Sequence, residues 1–348
     1  MKTRFFAFAA IAVLSLNLVG SAFIDTRSVK AKQREASRLV ALLPASDGVA
    51  IFDARRFFDQ SLPTILSANQ PMLGEAMAKL AEMQSRVGID PRKFNQAAVG
   101  VNFKEVSATE IDYETVALLS GDVNFNILIA AAKLASKGAF RTQQVGDRSI
   151  FIFTFSEIVK QHAAKSSNSK IGKLIDRLSQ SISKEVAIAS IDSKTIALGS
   201  TGRVRETLEA NSRVSSTLTG LLAGKESSIC RFAMDSKGRI SHIIPYGSFL
   251  GTNADAIQFL AGSFDIGAGA ATLHMIAKTD SPNGAVGLKE MVEAAQVLGG
   301  IIANPKRPDM MAYSRMLENL KVAVRGNDVT LDLMIPQADI DVLMAGIK

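Results

Sequence analysis

The sequence is poor in cysteine, tryptophan and aromatic residues in general. Cys230 is the only cysteine among 348 residues, so neither an internal disulfide nor a site built from several cysteine ligands can form. Within the apolar segment Ile229–Met234 we expect this thiol to be a small buried residue rather than a reactive one. Aromatic residues make up 6% of the chain. Because nucleic-acid sites commonly stack bases on aromatic rings, nucleic acid is not an expected partner.

The sequence also lacks the spacings that carry common cofactor chemistry. Its three histidines, His162, His242 and His274, are far apart in the chain, so no helix presents a metal-binding pair. The segment from Gly220 to Lys225 is one residue short of a phosphate-binding loop, and Glu226 stands where that loop needs a hydroxyl. There is no G-x-S-x-G nucleophile motif. We therefore expect no metal and no other cofactor.

Long apolar runs are absent except at the start of the chain. Met1–Ala22 has the form of a secretory signal: basic residues Lys2 and Arg4, an apolar core, and small residues before Phe23. Cleavage there would lower the net charge from +7 to +5. We therefore expect an exported protein, periplasmic or extracellular. If the signal is not cleaved, the protein would instead be anchored in a membrane by its N-terminus.

What is present is a recurring unit of two strands and a helix. In Leu320–Lys348 the apolar residues alternate on both sides of Gly326-Asn327-Asp328 and then fall at helical spacing. The period of two predicts a hairpin, and the later spacing predicts an amphipathic helix. Similar units follow Phe140, with a turn at Gly146-Asp147, and Glu185, with a turn at Asp192-Ser193.

The repeated units predict an α+β fold made of two similar halves. Each half would have a largely antiparallel sheet with helices packed on one face. Residues 211–228 are rich in Ser, Thr and Gly and form the best boundary. We therefore predict a signal peptide over 1–22, a basic helical lead-in over 23–43, and α+β domains over 44–212 and 225–348.

The opening of the mature part carries a short pattern. It reads LP…D.RR…LP and is followed by GIDP, with the matching positions Leu43, Pro44, Asp53, Arg55, Arg56, Leu62, Pro63 and Gly88–Pro91. This pattern resembles exported bacterial proteins of unknown function and covers some fifty residues. The resemblance implies an α+β protein that is periplasmic or surface-facing, and it carries over no catalytic residue.

One basic stretch has functional interest. The stretch from Lys160 to Arg177 contains five cationic side chains and a single acid, Asp176. Such a stretch could contact an anionic surface, either lipid headgroups or a cell-wall polymer. The alternative is a solvated helix and loop, since Ser and Asn dilute the charge. The possible contact residues are Lys160, Lys165, Lys170, Lys173 and Arg177.

Three functional hypotheses follow. The first is a non-catalytic exported envelope protein that acts by binding or as a structural part, with an envelope protein or an anionic surface as partner. The second is an exported hydrolase with an unrecognised site, using Asp53 or converging histidines. The third is a peripheral binder of anionic lipid or cell-wall polymer. No transmembrane domain is expected apart from an uncleaved signal.

Overall fold

The fold is described from a computed structural model of the chain. Its described residues are 26–87, 90–107, 110–154, 185–209, 211–223, 227–238, 240–243, 254–267, 269–302 and 306–346. The proposed signal peptide therefore lies outside the described residues.

Twelve strands form one antiparallel sheet in the described part of the chain. Their order across the sheet is β11-β12-β10-β9-β8-β1-β2-β3-β7-β6-β5-β4. The strands are β1 (Gly48–Phe52), β2 (Phe94–Ser107), β3 (Glu110–Gly121), β4 (Phe140–Val145), β5 (Arg148–Thr154), β6 (Glu185–Asp192), β7 (Thr195–Gly199), β8 (Cys230–Asp235), β9 (Ile257–Gly267), β10 (Ala270–Thr279), β11 (Lys321–Arg325) and β12 (Asp328–Pro336).

Helices precede, connect and follow these strands. They are α1 (Thr26–Leu42), α2 (Ala54–Arg56), α3 (Leu62–Ile65), α4 (Gln70–Val87), α5 (Phe125–Ala135), α6 (Thr201–Glu209), α7 (Ser216–Leu221), α8 (Ile240–Ile243), α9 (Pro282–Ile302), α10 (Pro308–Asn319) and α11 (Gln337–Gly346). A π-helical turn, Phe57–Ser61, joins α2 to α3, and a 3-10 turn, Pro91–Lys93, precedes β2.

The two faces of the sheet pack against different helices. On the face that we call the α1 face, Leu39 and Leu43 cluster with Val49 and Ile51 of β1. On the opposite face, which we call the α4 face, Phe264 of β9 clusters with residues of α4 and α11. Consecutive strand residues point to opposite faces, so helices cover both. The expected α+β class is confirmed, and the expectation that helices pack on one face only is not confirmed.

The α1 face changes character along the sheet. Over β1, β3, β5, β6 and β7 it is buried beneath α1, α6 and α7. The same face of β10, β12 and β11 contributes no residue to the apolar clusters of the described chain. Its residues there include exposed Thr272, Asp332 and Lys321, and the register places Lys321 beside Asp332 and Asp332 beside His274.

Several local predictions are confirmed. The closing segment forms β11, a turn with Gly326 at φ +60°, β12 and α11. The structure adds that Gly48–Phe52 is a strand and that the Asp53 side chain caps the following helix by accepting a hydrogen bond from the Arg56 N–H. Cys230 is buried, and burial raises the pKa of its thiol to about 12.

β1 pairs with β8 over five residue pairs, so the two proposed domains share one sheet.

Candidate functional site

A cleft of about 500 Å³ lies where the C-terminal half of α1 crosses the end of β3 and the start of β7. Its floor comes from the strand ends, and one wall comes from α1. The tight turn between β6 and β7 supplies the opposite wall. The lining residues are Glu35, Arg38, Asn95, Ser120, Gly121, Asp122, Asp192, Ser193 and Lys194. Eight of these nine residues carry polar or charged side chains, and their carbon atoms supply slightly more than half of the lining surface.

Backbone hydrogen bonds fix the floor of the cleft. The Gly121 N–H donates to the Lys194 carbonyl at 3.0 Å, and the Asp122 N–H donates to the Lys93 carbonyl at 3.1 Å. A side chain at Gly121 would place its Cβ 2.3 Å from the Lys93 carbonyl oxygen. Glycine is needed here because β3 ends in close contact with the start of β2.

Arg38 joins the walls of the cleft. Its Nε and Nη2 donate to the two carboxylate oxygens of Glu35 at 3.0 and 2.7 Å. Its Nη1 donates to the Asp192 carboxylate at 2.9 Å, and Nη2 also donates to the Thr195 hydroxyl at 2.6 Å. The guanidinium group is thus engaged on all three nitrogens. It holds α1 to the turn between β6 and β7.

This network keeps two carboxylates ionised. Hydrogen bonds from Arg38 hold the pKa of Glu35 below its ordinary value, against the opposing effect of burial. Burial raises the pKa of Asp192, but the Lys194 N–H, the Thr195 hydroxyl and Arg38 together hold it below its ordinary value. The same Glu35 contact raises the pKa of Arg38. All three groups are therefore charged at neutral pH.

Other polar groups in the cleft are left without partners. The hydroxyl of Ser120 is buried, with 3% of the residue exposed. A hydrogen-bond-like contact with Glu35 helps to lower the pKa of that carboxyl group, but neither Glu35 nor any other described atom reaches full hydrogen-bonding geometry with the Ser120 hydroxyl. The side chains of Asn95 and Asp122 also make no hydrogen bond or ion pair with other described residues. A buried hydroxyl without a partner is unusual in a folded protein.

None of the candidate site residues that the sequence singled out is among the described residues that line the cleft. Lys160, Lys165, Lys170, Lys173 and Arg177 are outside the described residues. The Asp53 carboxylate accepts from the Arg56 N–H through one oxygen and from the Lys32 ammonium through the other, both at 2.9 Å. A carboxylate held in this way serves as a helix cap and ion-pair partner.

Of the three histidines, only His274 has a described side chain. Its Nδ1 is 2.7 Å from the Asp332 carboxylate on the α1 face. The histidine version of the hydrolase hypothesis therefore depends on side chains outside the described ones. Among the described residues, no group of three or more His, Cys, Asp or Glu side chains could hold a metal ion.

Sequence reasoning did not find the cleft. Glu35 and Arg38 are three residues apart on α1, a spacing at which helical side chains meet. The sequence predicts Asp192 only as a turn residue, and it gives no functional signal at Ser120. Nothing in the linear sequence connects these segments, because β3, β7 and α1 meet only in the folded sheet.

Comparison with known proteins gives little further guidance. No protein-family model matches the chain, and no curated protein matches it. Among solved structures, crystal form I of TP0453 has a TM-score of 0.42 at 6% identity over 89% of this chain and 97% of that one. Crystal form III has a TM-score of 0.45 at 6% identity, over 88% and 97%. These similarities carry no conclusion about function.

Proposed function

We propose that the protein is an exported, non-catalytic envelope protein that acts by binding a small polar ligand in the cleft beside α1. The observation that carries the proposal is the buried Ser120 hydroxyl, which lines the cleft and has no partner within the described residues. A ligand that donates to this hydroxyl or accepts from it would supply the missing hydrogen bond. The volume of about 500 Å³ lies in the ordinary range for small-molecule sites.

The electrostatics of the cleft favour binding over catalysis. A general acid or base works best when its pKa lies near the working pH. Glu35 and Asp192 instead have lowered pKa values, so they are weak bases that hold no proton to transfer. As permanently ionised carboxylates, they are suited to holding Arg38 and to setting the charge of the cleft.

Binding can be tested by thermal unfolding of the protein with a panel of small polar solutes: n-butylammonium, tetramethylammonium, potassium, acetate, inorganic phosphate and glucose. A solute that binds only the folded state raises the unfolding temperature as its concentration rises. We expect at least one class to do so, and we expect Ser120→Ala to weaken the response. Ser61→Ala is the matched control, because Ser61 also has a buried hydroxyl without a described partner. If no solute shifts unfolding in a way that depends on Ser120, the proposal fails.

Export needs its own measurement. The proposal rests on the signal-like Met1–Ala22 segment. No described helix meets the length and apolarity needed to cross a membrane. N-terminal sequencing and fractionation of protein expressed in a bacterial host should give a soluble product that begins near Phe23. An intact Met1 in the membrane fraction would show an anchored protein instead.

Binding to an anionic surface is the second candidate, and α5 favours it. Ile127 and Leu134 lie on one side of this helix and are 55% and 77% exposed. The helix and the residues just after it carry Lys133 and Lys137 and no acid. An exposed apolar stripe beside lysines is typical of segments that contact anionic lipid. The basic stretch between β5 and β6 would add Lys160, Lys165, Lys170, Lys173 and Arg177.

Vesicle flotation tests this second candidate. We expect binding to vesicles that contain phosphatidylglycerol, weaker binding to pure phosphatidylcholine, and loss of binding as salt rises. Leu134→Gln and the combined change of Lys165, Lys170 and Lys173 to Gln should each reduce it. Val297→Gln, which changes an exposed valine on α9, is the control. Salt-insensitive binding would overturn this candidate.

The similarity of the two halves also remains a proposal, and the strand order supports it. In the first half, β1, β2 and β3 form a meander, and β3 pairs with β7, the second strand of the next neighbouring hairpin. In the second half, β8, β9 and β10 form a meander, and β10 pairs with β12, again the second strand of a hairpin. The β4-β5 hairpin is an addition to the first half.

A further inference from the structure

The chemistry of the cleft narrows the class of ligand that it would take. Its lining has three carboxylates, Glu35, Asp122 and Asp192, and two cationic side chains, Arg38 and Lys194, so its net formal charge is −1. An anion placed in the cleft would face three carboxylates at close range. A cation would be attracted, because charges interact more strongly at a partly enclosed surface than in bulk water.

The cationic groups of the cleft have little to offer an anion. Every nitrogen of the Arg38 guanidinium already donates to Glu35, Asp192 or Thr195. Four of the five N–H donors of Arg38 are used in these bonds, so an anionic ligand could gain only the second N–H of Nη1 without displacing one of the present acceptors. Lys194, on the turn between β6 and β7, and Asp122 are both exposed residues, so the charge balance of the whole lining, rather than either side chain alone, sets the preference for a cation.

The groups without partners are suited to accept hydrogen bonds. The Asp122 carboxylate can only accept, and the Ser120 hydroxyl and the Asn95 amide oxygen can accept as well. The Asp122 carboxylate has no described ion-pair partner. Three acceptors around a polar cleft match an N–H-bearing cation, whose ammonium group supplies up to three donors.

We propose that the cleft binds a small organic cation through a primary ammonium group, with Asp122 and Ser120 as its direct contacts. This inference rests on the proposed function, because it names the ligand class of the same cleft. A tetraalkylammonium ion has the charge but no N–H donor. Potassium has the charge but no directional donor. The proposal therefore predicts that both bind more weakly than a primary ammonium ion.

The test is isothermal titration calorimetry of the full protein with n-butylammonium at neutral pH and low ionic strength. We expect saturable binding that is about tenfold or more weaker in Asp122→Asn and in Ser120→Ala, since a hydrogen bond to a charged group contributes on that order. Glu290→Gln removes one exposed carboxylate on α9 and should leave the affinity unchanged. Ser61→Ala should also leave it unchanged.

The outcomes separate the two proposals. Binding of n-butylammonium that is lost in the cleft variants and kept in the control variants supports both. Binding of phosphate, acetate or glucose that depends on Ser120, without binding of the ammonium ion, overturns this inference and leaves the proposed function standing. Equal binding of potassium or tetramethylammonium overturns this inference as well. If no solute binds, or if binding ignores the cleft variants, both proposals fail.

Discussion

The α1 face of the sheet differs between its two ends. Over β3, Val116 and Leu118 are fully buried beneath helices. Over β12 and β11 the same face carries Asp328, Asp332 and Lys321, and the carboxylates pair with Lys278 and His274 of β10. One continuous backbone thus supports an apolar core at one end and an ionic surface at the other, because side chains alone decide whether a strand face needs a cover.

The cleft lies where the covered region ends. Along β3 the residues on the α1 face run from apolar Val116 and Leu118 to polar Ser120, and α1 continues past that point. A helix held over polar strand ends leaves space that apolar packing does not fill. The candidate site therefore lies at the strand ends of the covered region, away from β10, β12 and β11.

The largest effect should come from removing apolar volume under the helices. Leu118→Ala should lower the free energy of unfolding by about 2–5 kcal/mol, because Leu118 is fully buried. Met334→Ala removes a similar volume from the open region, where Met334 is 55% exposed, and should cost about 0.5 kcal/mol or less. Chemical denaturation measures both changes. Similar losses would mean that the open region is covered.

The next largest effect compares a buried arginine of the covered region with an exposed arginine of the open region. Arg203 of α6 is 2% exposed and donates to the Ala45 carbonyl and the Ser46 hydroxyl at 2.6 and 2.7 Å. Arg203→Ala removes these hydrogen bonds to a charged group together with the packing of a buried side chain, so we expect a loss of about 1–3 kcal/mol. Arg325→Ala on exposed β11 should change stability by about 0.5 kcal/mol or less. A neutral effect at Arg203 would show that water replaces its contacts.

The ion pairs of the cleft should make the free energy of unfolding depend on pH. Glu35 and Asp192 have pKa values below the ordinary 4.5 and 3.8 when folded, so their contribution to stability is present above those values. It is lost as pH falls through the folded pKa values. Arg38→Met should therefore lower stability at neutral pH and flatten its decline in acid.

Lys278→Met is the matched change in the open region. The Lys278–Asp328 pair is 40% exposed on both sides, so its loss should cost about 0–1 kcal/mol. Urea denaturation at a series of pH values compares the two variants. An unchanged acid profile in Arg38→Met would contradict the network described for the cleft.

The smallest effect concerns the cleft itself. Ser120→Ala in the ligand-free protein should leave stability unchanged or raise it by up to about 1 kcal/mol, because the buried hydroxyl it removes has no described partner. Ser236→Ala should instead cost about 0.5–1.5 kcal/mol, since the Ser236 hydroxyl donates to the Gln258 carbonyl at 3.0 Å. A clear loss at Ser120 would assign its hydroxyl a structural role.

Local structure was readable from the sequence where a local pattern determines it. Alternation around Gly326 predicts the closing hairpin, because a tight turn depends on neighbouring residues. The sequence also contains a signal for burial of the sheet on both faces. Val49 to Phe52 is a continuous apolar run, which is typical of a strand buried on both faces.

Long-range arrangement could not be read in the same way. The pairing of β1 with β8 joins Ile51 to Arg231, and no local pattern specifies such a partner. The cleft depends on this kind of placement, since Glu35, Ser120 and Asp192 come from three separate segments. Its network forms only once α1 lies across the assembled sheet.

The measurement that tests the account most directly is an NMR titration that follows the side-chain carboxyl ¹³C signals as n-butylammonium is added. The account predicts that Asp122 shifts with a saturable dependence, with smaller changes at Glu35 and Asp192 and none at Asp328 or Asp332 in the open region. Saturable shifts confined to the open region, or no saturable shift at Asp122, would contradict the assignment of the cleft as the ligand site.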